Sequence, residues 1–271
     1  MVCFPNAKIN IGLNIINKRT DGFHNIETIF YPIPLFDVLE FTETENNTTN
    51  LKTTGNNLNI PDNQNICLKA FELLNKDFNL KPLEIFLHKV IPSGAGLGGG
   101  SADAAFFIKF INNHFEIGLN DSQLEQYAAK LGSDCPFFIR NKAVFAYDKG
   151  GIFEAIKLDL SNYFIYLVKP DIFISTAQAY ANVIPSKPKT SIKHLITSPI
   201  ENWKDLIIND FESNVFSIFP ILKQIKEELY NQGAIYASMS GSGSSIYGIF
   251  KNEPDIIENF NLHFNWISKL Q

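Results

Sequence analysis

The sequence predicts an α+β architecture in two domains, and three features carry that expectation. Short strand-like and helix-like segments interleave, no long βαβ spacing repeats, and the pattern changes character near residue 155. A chain of 271 residues is long enough for two modest cores, expected over residues 1–155 and 156–271. Residues 8 to 16 alternate, with Ile9, Ile11, Leu13 and Ile15 on one side and Lys8, Asn10, Gly12 and Asn14 on the other, which predicts a half-buried strand. Thr20-Asp21-Gly22 reads as a turn into a second strand over 25–32. Residues 46–65 are polar and read as an exposed excursion, followed by a helix-like run. Residues 83–90 read as a strand entering a glycine-rich run.

Beyond that run, Ala104, Phe107, Ile108, Ile111 and Phe115 recur at helical spacing. Ser122-x-x-Glu125 reads as a capping box for a helix carried by Leu124, Tyr127, Ala128 and Leu131 to Gly132. Ser133-Asp134-Cys135-Pro136 then announces another helix start. In the second half, 163–168 reads as a strand, 175–181 as a short helix and 215–230 as a longer one. Residues 234–239 and 245–250 read as strands joined by Gly241-Ser242-Gly243-Ser244, and a helix is expected to close the chain.

Bulk composition excludes several classes of function. Hydrophobic content of 45% and charged content of 19% are those of a globular protein. A net charge of −5 without a dense Lys/Arg block argues against nucleic acid as a partner. Cys3, Cys67 and Cys135 are odd in number and far apart, which argues against a disulfide framework, a redox pair or a zinc centre and makes the cytoplasm the expected compartment. The five histidines show no metal-ligand spacing, so no protein-held metal is expected. No apolar run approaches the ~20 residues of a membrane span. The N-terminus lacks a basic-then-apolar pattern and candidate functional residues begin at Lys8, so no cleaved leader is expected.

Pro92-Ser93-Gly94-Ala95-Gly96-Leu97-Gly98-Gly99-Gly100-Ser101-Ala102 is the most informative stretch, with five glycines among eleven residues directly before a helix. Glycine lets backbone N–H groups turn inward and lets a bulky anion approach, and the helix adds its positive end. The run therefore reads as a phosphate cradle, against the plainer reading of a surface turn. Gly94-x-Gly96-x-x-Gly99 matches the dinucleotide fingerprint, but the place of its acidic second strand, residues 120–131, looks helical. No Gly-Lys-Ser/Thr closes the run as in a P-loop. The His-Arg-Asp and Asp-Phe-Gly signatures of protein kinases are absent.

Three motifs stand in order along nearly the whole chain: Pro5-Asn6-Ala7-Lys8-Ile9-Asn10, the glycine run, and Gly241-Ser242-Gly243-Ser244-Ser245. Together they resemble the GHMP small-molecule kinases. Four further stretches narrow the resemblance. They are Asp21-Gly22-Phe23-His24, Gly98-Gly99-Gly100 before Ser101-Ala102-Asp103, the segment from Leu131 through Asp134 to Phe138, and Asn209-Asp210-Phe211-Glu212. They match the members that phosphorylate the 2-hydroxyl of 4-diphosphocytidyl-2-C-methyl-D-erythritol in the non-mevalonate isoprenoid pathway. Phe23 stands where those members usually have tyrosine, which removes a hydroxyl and keeps a stacking face.

The resemblance implies an N-terminal domain of the ribosomal-protein-S5 second-domain type, a ferredoxin-like C-terminal domain, ATP as phosphoryl donor and Mg²⁺. It implies that Asp134 orients the substrate hydroxyl and accepts its proton, while Lys8 contacts that carboxylate and the transferring phosphoryl. Read alone, Asp134 is equally a helix cap and Lys8 an exposed strand lysine. The glycine run would wrap the ATP phosphates, Ser101 would also reach Mg²⁺, and Asn65 and Lys89 match adenine-side positions. Asn65 reads equally well as a helix N-cap. Phe23 and Tyr180 would flank the cytosine, His24 would read its edge, and Asn10, Thr176, Gly241 and Ser242 would contact the substrate. Cys135 reads as a buried small residue rather than a nucleophile. Competing readings are another small-molecule kinase of the family, acting on homoserine or mevalonate, and a nucleotide-binding sensor without turnover. An RNA-binding protein of S5-like fold conflicts with the acidic charge.

Overall fold

The computed structural model of the chain describes residues 1–56 and 61–271. Along the first half run β1 (Val2–Cys3), β2 (Asn6–Lys18), β3 (His24–Phe36), β4 (Val38–Glu43), β5 (Asn50–Gly55), α1 (Ile66–Phe78), β6 (Leu83–Lys89), α2 (Gly99–His114), α3 (Asp121–Ala129) and α4 (Phe137–Arg140). The remainder carries β7 (Val144–Asp148), β8 (Ile152–Ala155), β9 (Phe164–Lys169), α5 (Thr176–Tyr180), α6 (Ile192–Leu195), α7 (Trp203–Leu206), α8 (Phe211–Ile218), α9 (Pro220–Asn231), β10 (Tyr236–Met239), β11 (Ile246–Phe250) and β12 (Phe264–Lys269). These form two compact units, but not the consecutive halves expected. One unit is Met1–Ala7, Leu35–Ser93 and Gly98–Lys142; the other is Lys8–Pro34, Gly94–Leu97 and Ala143–Gln271. Residues 8–34 join the second unit because β2 and β3 are sheet partners of β7 and β8.

In the first unit the sheet order is β1-β4-β6-β5, with β5 parallel to β6 and the other pairs antiparallel. Helix α2 packs on it where the Phe41 ring meets Phe107 and Phe110 edge-on. Strand β5 corrects the expectation of an exposed excursion over 46–65: Leu51 is buried while Asn50 and Lys52 face outward, a strand period masked by polar residues. Residues 57–60 of that stretch lie outside the described residues.

The second unit holds two four-stranded sheets, β2-β3-β7-β8 and β10-β11-β9-β12. The latter is antiparallel throughout, and its order, second-third-first-fourth in chain sequence, is the ferredoxin-like arrangement. Tyr166 and Val168 of β9, Leu222, Ile225 and Leu229 of α9, and Ile246 of β11 share its core. Four local expectations are corrected. The helix expected over 215–230 is two helices, because Pro220 has no N–H to continue the ladder and starts α9 afresh. The capping box before α3 is Asn120 with Gln123, not Ser122 with Glu125. Helix α4 starts only at Phe137, leaving Asp134 in the preceding turn. The chain closes on β12, where Trp266 lies opposite Leu167 of β9, rather than on a helix. Among the described residues no helix is long and apolar enough to cross a membrane.

Candidate functional site

Lys8 and Asn10 sit on the polar face of β2, yet each is only 3% exposed, so the strand is buried on both faces rather than one. The cover on that face is Gly94–Leu97 and the turn between β10 and β11. The Lys8 N–H donates to Leu97 O at 2.9 Å. Its Nζ donates to Gly96 O at 3.0 Å and Asn10 Oδ1 at 2.5 Å, and lies 4.7 Å from the centre of the Phe30 ring. Two oxygens and a ring face thus compensate an ammonium that burial alone would destabilise. Asn10 in turn donates to Thr28 Oγ1 at 3.0 Å, and Thr28 donates to Gly12 O at 2.6 Å.

Ser240 joins these segments. Its Oγ accepts from Asn10 N at 3.1 Å and donates to Gly96 O at 2.8 Å. Gly96 has φ +76°, and a Cβ there would stand 2.0 Å from Ser240 O, so only glycine fits. Gly241 follows at φ +56°, close to Gly96. In this way the late Gly-Ser turn and the first half of the glycine run form one structure within the second unit. A cleft of about 610 Å³ in the same unit is lined by Asn14, Asn182, Ile208, Asn209 and Asp210 and does not include Lys8.

The second half of the run belongs to the first unit. Gly98, in the left-handed region, is the N-cap of α2, and no side chain caps the helix. Along residues 94–101 the carbonyls of Ala95, Gly96 and Leu97 accept hydrogen bonds, whereas among the described residues none of the N–H groups donates to a protein acceptor. Donors left open at a helix N-terminus are what an anion needs. A Cβ on Gly100 would meet nothing within 4 Å, so this position faces open space.

Asp134 lies in the turn before α4, half-buried, and accepts from Ser133 Oγ at 3.2 Å. Cys135 beside it is buried, with Ser101 of α2 in hydrogen-bonding reach, and burial pushes its thiol up to about 11. It is therefore a protonated packing group, as expected from the sequence. Asn65 is the N-cap of α1, its Oδ1 accepting from Cys67 N at 2.9 Å. Lys89 is buried, its ammonium held by Asp37 and by Asp103 Oδ2 at 2.6 Å. Asp37 also accepts from the N–H groups of Val90 and Ile91 at 2.6 and 2.9 Å, and Asp103 Oδ1 is buried without a partner. From the sequence Asp37 is not singled out, and Asp103 stands only as part of a motif, without a role. The available signal was a charged residue set among apolar neighbours, Phe36-Asp37-Val38 and Ala102-Asp103-Ala104.

Two of the three residues expected around the cytosine touch each other. His24 stacks directly on Tyr180, ring centres 4.6 Å apart and planes 17° from parallel. A base between two rings needs two contact distances, about 7 Å, so none fits between these two, and the Tyr180 face that meets His24 is already covered. Phe23 is 59% exposed at the hairpin tip, where Lys149 lies 4.5 Å over its ring and 2.8 Å from Asp21. That contact, chiefly a hydrogen bond from Lys149, pulls the Asp21 carboxyl down to about 2. Burial, with Lys18 adding to it, lowers the His24 pKa below its ordinary value. Thr176 begins the five-residue α5 and is exposed, directly after the N-cap Ser175 whose capping box is closed by Gln178.

The chain is similar to known proteins over nearly its whole length. The family model described as GHMP kinases N terminal domain matches residues 65–142, and that described as GHMP kinases C terminal matches residues 192–264. A Bacteroides thetaiotaomicron protein named 4-diphosphocytidyl-2-C-methyl-D-erythritol kinase is 52% identical over 260 residues, 95% of each chain. A crystal structure of 4-(cytidine 5'-diphospho)-2C-methyl-D-erythritol kinase is similar with a TM-score of 0.79 at 27% identity, covering 92% of this chain and 90% of that one. The Methanococcus jannaschii mevalonate kinase shares the fold at a TM-score of 0.70 and 17% identity, covering 100% and 98% of the two chains. With the glycine run, the Lys8 strand and the Gly-Ser turn in their places, the chain belongs to the GHMP kinase family.

Proposed function

We propose that the chain transfers the terminal phosphoryl of ATP to the 2-hydroxyl of the methylerythritol moiety of 4-diphosphocytidyl-2-C-methyl-D-erythritol, in non-mevalonate isoprenoid precursor synthesis. The observation that carries this reading is the 52% identity, over 95% of both chains, to a relative of that name. In the transfer, a bond forms between the acceptor oxygen and the terminal phosphorus. The bond from that phosphorus to the bridging oxygen breaks, ADP leaves, and the acceptor proton passes to Asp134. Such a step needs positioning and charge neutralisation more than covalent help from the protein.

Asp134, in its turn before α4, orients the hydroxyl, and the Lys8 ammonium supplies charge to the transferring phosphoryl. The unpaired N–H groups of residues 94–101 receive the phosphates of ATP, helped by the positive end of α2. Asn10 and the Gly241-Ser242 turn face the acceptor. His24 and Tyr180 act as a preformed stack whose outer face receives the cytosine, with Phe23 and Thr176 at its rim. Neutral His24 offers one donor and one acceptor nitrogen to the base edge. Asn65 and Lys89 act behind the adenine end, as cap and buried anchor.

Among the described residues no group of three His, Cys, Asp or Glu side chains could hold a metal ion. Mg²⁺ carried with ATP would be held at the Ser101 hydroxyl and would supply positive charge to the phosphates. Three free cysteines, Cys3, Cys67 and Cys135, support a reducing cytoplasm as the compartment. The test is ADP release with ATP and Mg²⁺ in the presence of 4-diphosphocytidyl-2-C-methyl-D-erythritol, homoserine or mevalonate in turn. Turnover with the cytidine compound alone is expected. Turnover with either other alcohol, or ATP binding without any turnover, overturns the reading.

A further inference from the structure

Asn209, Asp210, Phe211 and Glu212 carry no role in the transfer, yet their four side chains reach three different parts of the second unit. Asn209, only 2% exposed, donates from its amide to Met239 O and Gly241 O, both at 2.8 Å, while its Oδ1 accepts from Phe211 N at 3.0 Å. Asp210 Oδ2 accepts from Ile15 N at 2.7 Å. The Asp210 N–H donates to Leu13 O at 2.8 Å and Leu13 N–H donates to Ile208 O at 2.9 Å, so the segment is laced to β2 beyond Lys8 and Asn10. The Phe211 ring meets Tyr180 edge-on, 4.7 Å between centres, and Tyr180 carries His24. Glu212 Oε1 accepts from Met239 N at 2.8 Å and from Ser238 Oγ at 3.1 Å, and its Oε2 takes Lys226 Nζ at 2.6 Å.

We propose that these four residues are a positioning clamp: Asn209 and Glu212 fix the Gly-Ser turn, Asp210 fixes the strand that bears Lys8, and Phe211 fixes the His24–Tyr180 stack. The turn needs such a device. Gly241 and Gly243 give it wide backbone freedom, and two carbonyls with one N–H on residues 239–241 are the points at which the clamp removes it. A single short segment sets the relative placement of the phosphate-facing turn and the base-facing rings, the arrangement that preorganised transfer demands. The inference rests on the kinase reading above.

Two folded variants separate the clamp from a merely structural role, because it predicts opposite kinetic splits. Asn209→Asp keeps the acceptor for Phe211 N–H and sets an oxygen against two carbonyls. It should lower kcat at least tenfold, leave the KM of the cytidine acceptor within threefold, and speed amide hydrogen exchange over 239–245 but not across β9. Phe211→Leu keeps apolar volume and removes the edge under Tyr180; it should raise that KM at least fivefold and leave kcat within threefold. Wild-type kinetics in both, the same parameter moved in both, or global unfolding of both overturns the clamp. If the unaltered chain transfers nothing to this acceptor, the kinase reading fails instead, and the exchange arm still decides whether Asn209 holds the turn.

Discussion

At Asp134 the chain makes a tight turn in which Ser133 donates to the carboxylate and the neighbouring Cys135 is buried against the Gly132 backbone. The acid is held by its surroundings rather than by a helix cap, so Asp134→Asn should fold normally and lose at least about a hundredfold in kcat, within the range of general acid–base contributions. A thermal melt with single-turnover kinetics checks both halves. His24 yields a pH prediction. Its pKa is lowered in the folded chain, so the native state binds the proton less readily than the unfolded one. The contribution to stability is full above the ordinary value of 6.5 and is lost as pH falls through the lower, folded value. The acceptor nitrogen disappears over the same window, so the acceptor KM should be flat above pH 6.5 and rise below the folded pKa; His24→Asn should abolish that dependence. Motif order alone singles out Lys8 and Asp134 as the proposed transfer pair. The closed His24–Tyr180 stack was not legible, since residues 156 positions apart meet only through tertiary packing.

Elements with a local cause were the most legible. The strand β2 and the helix α2 appear where expected, as do β10 and β11 around their Gly-Ser turn, although β2 is buried on both faces. Misreadings followed from signals that compete locally. Asn120 and Ser122 both suit an N-cap, and the box formed at Asn120 because Gln123 returns its bond to the Asn120 N–H at 3.0 Å. The apolar run of β12 also suits a helix, and pairing with β9 decided it. Within the glycine run, two glycines exist for different reasons, and substitution separates them. Gly96→Ala drives a Cβ into Ser240 O at positive φ and should cost at least about 1–3 kcal/mol of stability. Gly100→Ala meets nothing and gains helix propensity, so stability should rise by up to about 1 kcal/mol, while the proposed seating of ATP phosphates in the open space before α2 predicts a fall in ATP affinity. Denaturant melts beside an ATP titration read the two effects apart.

At the scale of the whole molecule, two α/β units were legible but their composition was not. The chain returns residues 8–34 to the second unit through sheet partners more than 100 residues away, a pairing that no local period encodes. The first unit has its own long-range tie, the buried Lys89 between Asp37 and Asp103, which links the start of β4, the end of β6 and α2. Burial pushes the Asp103 carboxyl well above its ordinary value and the two acids raise the Lys89 pKa against the burial that would lower it. A raised carboxyl contributes stability below its unfolded value of 3.8 that is lost as pH rises towards its folded value. Asp103→Asn removes that loss, so the variant should be as stable as the unaltered chain or more so, and its stability should vary less as pH rises above 3.8. Lys89→Met does the reverse. It leaves the buried Asp37 and Asp103 side chains without the ammonium between them and should cost about 3–5 kcal/mol. Urea melts across that pH range measure both. A Lys89→Met chain of undiminished stability but weakened ATP binding would return Lys89 to the adenine-side role its sequence position suggests and remove it from the fold.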